Sequence, residues 1–177
     1  MPPDSSPRAD GASRFLRPLS IAAGIVIVDQ ATKLVIRERL APYQTIPVID
    51  GLLNIVHARN PGAAFSFLAD APTWFRAPFF LVVTTVAIVV LLYAISRLPR
   101  ADRLMRVALG AVLGGALGNL IDRVLYGEVT DFIDVHWRGH HWPAFNVADS
   151  SISVAVVALI LQSLLLARSE GDAPARL

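Results

Sequence analysis

The residues best able to do chemistry are four groups of polar side chains set in or beside apolar runs. Asp29 and Lys33 stand at i and i+4 with the acid first, the favourable order for a pair on one helix face. Asn119, Asp122 and Arg123 stand at i, i+3 and i+4 and also share a face. Asp131 lies in an alternating strand-like run, and Asn146 and Asp149 precede a final apolar stretch. Two carboxylates brought together at a partly apolar site hold one proton between them. The ionised one then acts as general base toward water, while its protonated partner polarises a carbonyl. Asp131 and Asp149 are the candidates for such a pair. Taken alone, Asp149 reads as the N-cap of a helix, where free N–H groups favour a carboxylate. For Asp29 and Lys33 a structural ion pair is the favoured reading. For Asn119, Asp122 and Arg123 an interhelical clamp and direct substrate contact stand equal.

Other chemistries fit less well. His136, His140 and His141 lack a nearby Cys or Glu to complete a zinc set, and Trp137 and Trp142 beside them suit interfacial anchors, so no metal site is expected. Ser150, Ser151 and Ser153 have no histidine or lysine in a base relation to them, which argues against a serine nucleophile. The chain has no cysteine, which excludes disulfides, thiolate zinc sites and a cysteine nucleophile.

The elements that must position these groups are helices in a membrane. Of 177 residues, 54% are hydrophobic and 17% charged, the balance of a membrane protein rather than a disordered chain or a charged coiled coil. A net charge of +2, with Lys33 the only lysine, does not suggest nucleic-acid binding. Four apolar stretches are expected as transmembrane helices, at about 16–36, 77–95, 104–125 and 148–167. The second and fourth hold charge-free runs of 19 and 18 residues, close to the ~20 needed to span a bilayer. The first is no cleaved signal peptide, because a convincing cleavage site is missing and the apolar pattern resumes at Leu34. Four such stretches leave too little polar surface for a soluble protein. The second contributes only Thr84 and Thr85 as polar residues and looks like support. Gly110, Gly114 and Gly118 form a ridge that allows close helix approach, and it is assigned to packing.

Arginines crowd the short connection at Arg97, Arg100, Arg103 and Arg106, which places both termini in the cytoplasm. Asp29, Lys33, Asn119, Asp122, Arg123, Asn146 and Asp149 then gather at one depth, near the outer ends of their helices. Ile46–Ile49 and Leu52–Val56 flank Asp50-Gly51, a hairpin signal. With the alternating strand at Val129–Val135 they suggest an extracytoplasmic sheet, over about 43–70 and 127–137. The expected fold is mainly α, an integral membrane protein of four transmembrane helices and a small extracytoplasmic β-sheet in one domain, 14–168. Residues 1–13 and 169–177 are expected as disordered cytoplasmic tails.

Five segments carry a resemblance to a known family: Asp29-Gln30-Ala31-Thr32-Lys33, Asn60-Pro61-Gly62-Ala63-Ala64-Phe65-Ser66, Gly118-Asn119-Leu120-Ile121-Asp122-Arg123, Val129-Thr130-Asp131-Phe132-Ile133 and Phe145-Asn146-Val147-Ala148-Asp149. In order, over roughly 20–166, they resemble the motifs of lipoprotein signal peptidase, or signal peptidase II. The resemblance implies an aspartic endopeptidase of the bacterial cytoplasmic membrane. Such an enzyme removes signal peptides from diacylglyceryl-modified prolipoproteins, cutting before the lipidated cysteine. It implies Asp131 and Asp149 as the catalytic dyad, and Asn60, Gly62, Asn119, Arg123 and Asn146 as residues that contact or orient the peptide. Asp29, Lys33 and Asp122 become polar support. Prolipoproteins and membrane lipids are the expected partners of a monomer, with no cofactor, metal or nucleic acid. The competing readings are a scaffold that binds lipidated proteins without cutting them and a small proton-coupled transporter. A transporter predicts acids at several depths, and these cluster at one.

Overall fold

A computed structural model describes residues 7–62, 71–99 and 102–171. Four helices, α1 (Pro7–Arg39), α2 (Thr73–Arg97), α3 (Arg103–Tyr126) and α4 (Val147–Gly171), carry the four expected apolar stretches. Each is long and apolar enough to cross a membrane. Four short strands, β1 (Thr45–Ile49), β2 (Leu53–Asn60), β3 (Val129–Trp137) and β4 (His140–His141), form an antiparallel sheet in the order β1-β2-β3-β4. The sheet is built from the α1–α2 and α3–α4 connections, so it sits at one end of the bundle. The arginine-rich α2–α3 connection lies at the other, where Arg106 donates to the carbonyls of Leu98 and Pro99 and so closes the end of α2.

The helix α3 is the centre of the bundle, with 44% of its apolar window buried against 11–22% for the other three. Its glycines explain how. A Cβ at Gly110 would fall 2.7 Å from the Pro18 carbonyl oxygen, and one at Gly114 would fall 2.9 Å from Ala22 Cα, so α1 lies directly on this ridge. On the opposite side, a Cβ at Gly115 would meet the Ala148 carbonyl oxygen of α4 at 2.5 Å. Close backbone approach replaces the hydrophobic drive that lipid cannot supply between helices. The outward faces of α2 and α4 stay apolar and open, with residues such as Val86, Val89, Leu161 and Leu165 exposed.

The expected tails are shorter than read. Residues 7–13 belong to α1, whose start at Pro7 suits a residue with fixed φ and no N–H to satisfy. At the other end α4 runs to Gly171, leaving 172–177, like 1–6, outside the described residues. Within the expected β region of 43–70, residues 63–70 also lie outside them, including Ala63–Ser66 of the second motif.

The Asp50-Gly51 signal marks a real hairpin: Ile49 pairs with Leu53, and Gly51 alone takes positive φ, at 73°. Strand β3 pairs with β2 through Ala58↔Asp131 and Asn60↔Val129, which sets Asn60 two residue pairs along the ladder from Asp131. The expected strand ends at a tight turn in which Arg138 (φ 50°) and Gly139 (φ 80°) are both left-handed, the geometry of a two-residue hairpin. This turn creates β4. It brings the returning segment alongside β3, where Phe145 exchanges hydrogen bonds with Ile133 at 2.8 and 3.0 Å. Ile36 of α1 and Leu40 just beyond its end pack on Phe132, with Ile55, Ile133 and Val147 around them, and so bind the sheet to the bundle.

Candidate active site

Where the sheet meets the helix ends, Asp131 and Asp149 line one cleft of about 890 Å³, with Asn60, Asn119, Arg123 and Phe145 among its walls. Two asparagines link them. Asn146 Nδ2 donates to Asp131 Oδ1 at 2.7 Å and to Asn119 Oδ1 at 3.2 Å. Asn119 Nδ2 in turn donates to Asp149 Oδ1 at 2.7 Å. On the strand side, Asn60 Nδ2 donates to Asp131 Oδ2 at 3.0 Å, and the Gly62 N–H fixes Asn60 through its Oδ1 at 3.0 Å. Burial, followed by the charge of Asp149, pushes the Asp131 carboxyl up to about 7, against the pull of the Asn60 and Asn146 donors.

Asp149 is not the helix N-cap that its position suggests. That role belongs to Asn146, whose Oδ1 accepts the Asp149 N–H at 2.9 Å, while Asp149 Oδ2 accepts the Asn146 N–H at 3.3 Å. The two residues form a reciprocal capping box. One carboxylate oxygen of Asp149 thereby holds the start of α4, and the other is held by Asn119.

Beneath this layer lies a sealed ionic cluster. Lys33 Nζ sits 2.8 Å from Asp29, 3.2 Å from Asp122 and 2.9 Å from Asn119 Oδ1, and all three charged side chains are fully buried. The i,i+4 pair expected from the sequence is therefore present, with Asp122 added to it. Asp29 Oδ1 accepts the Ala148 N–H of α4 at 2.9 Å, and Asp122 Oδ2 accepts the Thr130 N–H of β3 at 3.0 Å. Each buried acid thus holds the residue next to a cleft aspartate. Asn119, Asp122 and Arg123 divide their roles: Asp122 is clamp, Asn119 is both clamp and cleft wall, and Arg123 lines the cleft with its guanidinium 5.8 Å from the Phe80 ring.

Several contributors went unread in the sequence. Gln30 Nε2 lies within 3.1 Å of Asp29, Asp122 and the Gly118 carbonyl, so it fastens two acids to the α3 backbone. Gly118 has a site role beyond packing, since a Cβ there would stand 2.6 Å from Asp29 Oδ2. Arg37, near the outer end of α1, reaches Asp122 and Thr130. The helix α2 gives more than support, because Arg76 lines the cleft. A polar residue four positions beyond a buried Lys was the available signal for Arg37. For Gln30 it was its place beside Asp29 in the first motif.

The histidines and serines are engaged otherwise. His141 Nδ1 pairs with Asp134 at 2.8 Å, and its ring stacks on His136. Burial pulls the Asp134 carboxyl upward, but donors from Asn54 and His141 win and hold it below the ordinary value. Ser150 and Ser151 donate to the carbonyls of Asn146 and Ala148 at 2.8 and 2.7 Å.

A bundle of four helices long and apolar enough to cross a membrane, with a partly apolar cleft lined by two carboxylates, fits the class of integral membrane enzymes. Comparison with known proteins narrows it: the sequence model of the signal peptidase (SPase) II family matches residues 21–165. The lipoprotein signal peptidase of Geobacter sulfurreducens is 50% identical over 145 residues, covering 82% of this chain and 89% of that one. That of Pseudomonas putida is 47% identical over 147 residues, covering 82% and 85%. A solved bacterial membrane enzyme superimposes with a TM-score of 0.76 at 36% identity, over 90% of this chain and 93% of that one. The chain belongs to the signal peptidase II family. It is accordingly a protease of the inner membrane, in a family that removes signal peptides from prolipoproteins.

Proposed function

We propose that this protein hydrolyses diacylglyceryl-modified prolipoproteins before the lipid-bearing cysteine, with Asp131 and Asp149 as an aspartic dyad. The observation that carries this reading is their convergence, from different elements, on one cleft through Asn146 and Asn119. A proton affinity near neutrality at Asp131 supports a pair that works with a single shared proton. The ionised carboxylate takes a proton from water as its oxygen bonds to the scissile carbonyl carbon. The protonated carboxyl gives its proton to the carbonyl oxygen, and a neutral tetrahedral diol results. Collapse breaks the C–N bond, and a proton moves from the diol through the pair to the leaving amine, restoring the dyad. No covalent acyl-enzyme forms.

The other site residues receive supporting roles. Asn60, Gly62 and Arg123 orient the peptide from the cleft wall, Asn119 and Asn146 orient the carboxylates, and Asp29, Lys33 and Asp122 hold the frame. The basic α2–α3 connection favours cytoplasmic termini and an outward-facing cleft. From there the monomer admits substrate laterally, with the acyl chains left in the bilayer.

The test is a gel-shift assay of a diacylglyceryl-modified prolipoprotein with wild type, Asp131→Asn and Asp149→Asn, each checked for folding in detergent. Cleavage by wild type alone is expected. Cleavage by all three would move the chemistry elsewhere, and inactivity of a folded wild type would favour a binding scaffold.

A further inference from the structure

The buried cluster is not charge-balanced by Lys33. Asp29 and Asp122 are both fully buried against this one ammonium, which leaves one negative charge uncompensated below the cleft. The missing cation is Arg37, one helical turn after Lys33. Its Nη1 lies 3.3 Å from Asp122 Oδ1, and its guanidinium carbon stands 4.2 Å from the centre of the Tyr126 ring. The same Nη1 donates to Thr130 Oγ1 at 3.2 Å. The guanidinium is committed to this contact although its Nε stays buried with no hydrogen-bond partner.

Thr130 is the residue before Asp131, and each of its polar atoms is held by a different element. Its N–H goes to Asp122 of α3, its hydroxyl oxygen accepts from Arg37 of α1, and its carbonyl accepts from Asn146 at 3.4 Å. We propose that Arg37 is a positioning residue for peptide cleavage, neutralising the Asp29–Lys33–Asp122 cluster and clamping β3 through Thr130 so that Asp131 keeps its place in the cleft. Arg37 touches no reacting atom. The inference rests on the dyad reading above.

Its electrostatic part has a definite sign. The charged and titratable groups facing this region are Lys33 and Asp29 from α1, Asp122, Arg123 and Tyr126 from α3, Asp131 from β3 and Asp149 from α4, with Arg59 of β2 and Arg76 of α2 in the cleft wall. Removing the guanidinium adds one net negative charge to them, which strengthens the hold of the dyad on its shared proton. The alkaline limb of the cleavage profile, where that proton is lost, then moves to higher pH.

The experiment measures kcat, KM and the pH profile on a diacylglyceryl-modified prolipoprotein for wild type, R37M, R37K and T130V. A displacement approaching 1 Å costs up to about a hundredfold, so R37M is expected to lose roughly ten- to a hundredfold in kcat with KM little changed. Its alkaline limb is expected to rise by about half a unit to one unit. R37K keeps the charge but not the planar fork, so it restores the limb and only part of kcat. T130V keeps every charge and removes the hydroxyl acceptor, so kcat falls while the limb stays at its wild-type position. If R37M does not fold, R37K and T130V still decide. Wild-type kcat in T130V overturns the clamp, and a limb shifted equally in R37K and T130V overturns the charge argument. A folded R37M that loses kcat with an unmoved limb does so too. Failure of wild type to cleave would instead overturn the dyad reading.

Discussion

Asn146 is where the cap of α4 and the geometry of the dyad meet, so Asn146→Ala tests both. The substitution deletes an acceptor for the Asp149 N–H at 2.9 Å, and loss of such a cap costs about 1 kcal/mol. It also deletes the donor that reaches Asp131 Oδ1 at 2.7 Å and Asn119 Oδ1 at 3.2 Å. Asn119 keeps Lys33 as a partner and Asp131 keeps Asn60, so neither atom group is stripped bare. One buried carboxylate bond lost in this way costs about 1–3 kcal/mol, and the total is roughly 2–4 kcal/mol. The activity loss is expected to exceed the loss of stability, because Asp131 loses one of its two amide donors and the Asp149 N–H loses its cap acceptor, while the Asp149 carboxylate keeps Asn119 and the main-chain N–H of residue 146. The Asn146 bond favours the ionised form of Asp131, whose carboxyl stands at about 7. Without it the carboxyl titrates higher, and the alkaline limb of cleavage moves up in pH. The assay is a pH profile of prolipoprotein cleavage beside a thermal melt in detergent. A variant that melts with wild type and cleaves within threefold of it at every pH would refute the reasoning.

Two further outcomes follow from the same contacts. The Asp131 carboxyl is raised from 3.8 to about 7 on folding, so its contribution is most favourable below pH 3.8, is lost as pH rises toward 7 and is flat above. Asp131→Asn is therefore expected to be more stable than wild type at pH 8, by up to about 4 kcal/mol, with the advantage shrinking toward pH 4, as melts across pH would show. Gly118→Ala places a Cβ 2.6 Å from Asp29 Oδ2, a carboxylate already pinned by Lys33 and the Ala148 N–H. Overpacking of this kind costs about 1–3 kcal/mol, and displacement of Asp29 should lower cleavage more than a Gly24→Ala control, where no atom lies within 4 Å of the added methyl.

The helices were legible because lipid demands long apolar runs, and those runs mark each span within about three residues, although α1 itself begins earlier, at Pro7. The first hairpin was legible from Asp50-Gly51. The second was not, because Arg138 at positive φ is a rare choice whose strain local pattern does not announce. At the site, the same-face spacing of Asp29 with Lys33 foretold their pair. What spacing within one helix cannot carry is contact between helices. That Asp122 joins Lys33, that Gln30 bridges both acids and that Arg37 reaches β3 all depend on how α1 lies on the glycine ridge of α3. The inverted roles of Asn146 and Asp149 were within reach, since an Asn followed three residues later by an acid has the spacing of a capping box. The apolar run beginning at Ser150 makes Asp149 look like the residue that starts the helix.

Among the described residues, Asp29, Asp122, Asp131 and Asp149 gather where the sheet meets the helix ends, and depth alone does not choose among them. Their surroundings do. Asp29 and Asp122 are sealed, and their oxygens are already taken by Lys33, Gln30, Arg37 and the backbone N–H groups of Ala148 and Thr130. A carboxylate so occupied and fully buried is closed to a water molecule in the cleft. Asp131 and Asp149 are instead held mainly by neutral amide donors and line the cleft. Amide donors orient a carboxylate without the strong preference for the charged form that an ammonium imposes, so the pair remains able to pass a proton. Lys33 and Arg37 are kept one layer away, where they act through the two sealed acids on Ala148 and Thr130, each adjacent in the chain to a cleft aspartate. A single ammonium between Asp29 and Asp122 thereby couples the position of α4 to that of β3, and with them the separation of the two carboxylates on which the proposed hydrolysis depends.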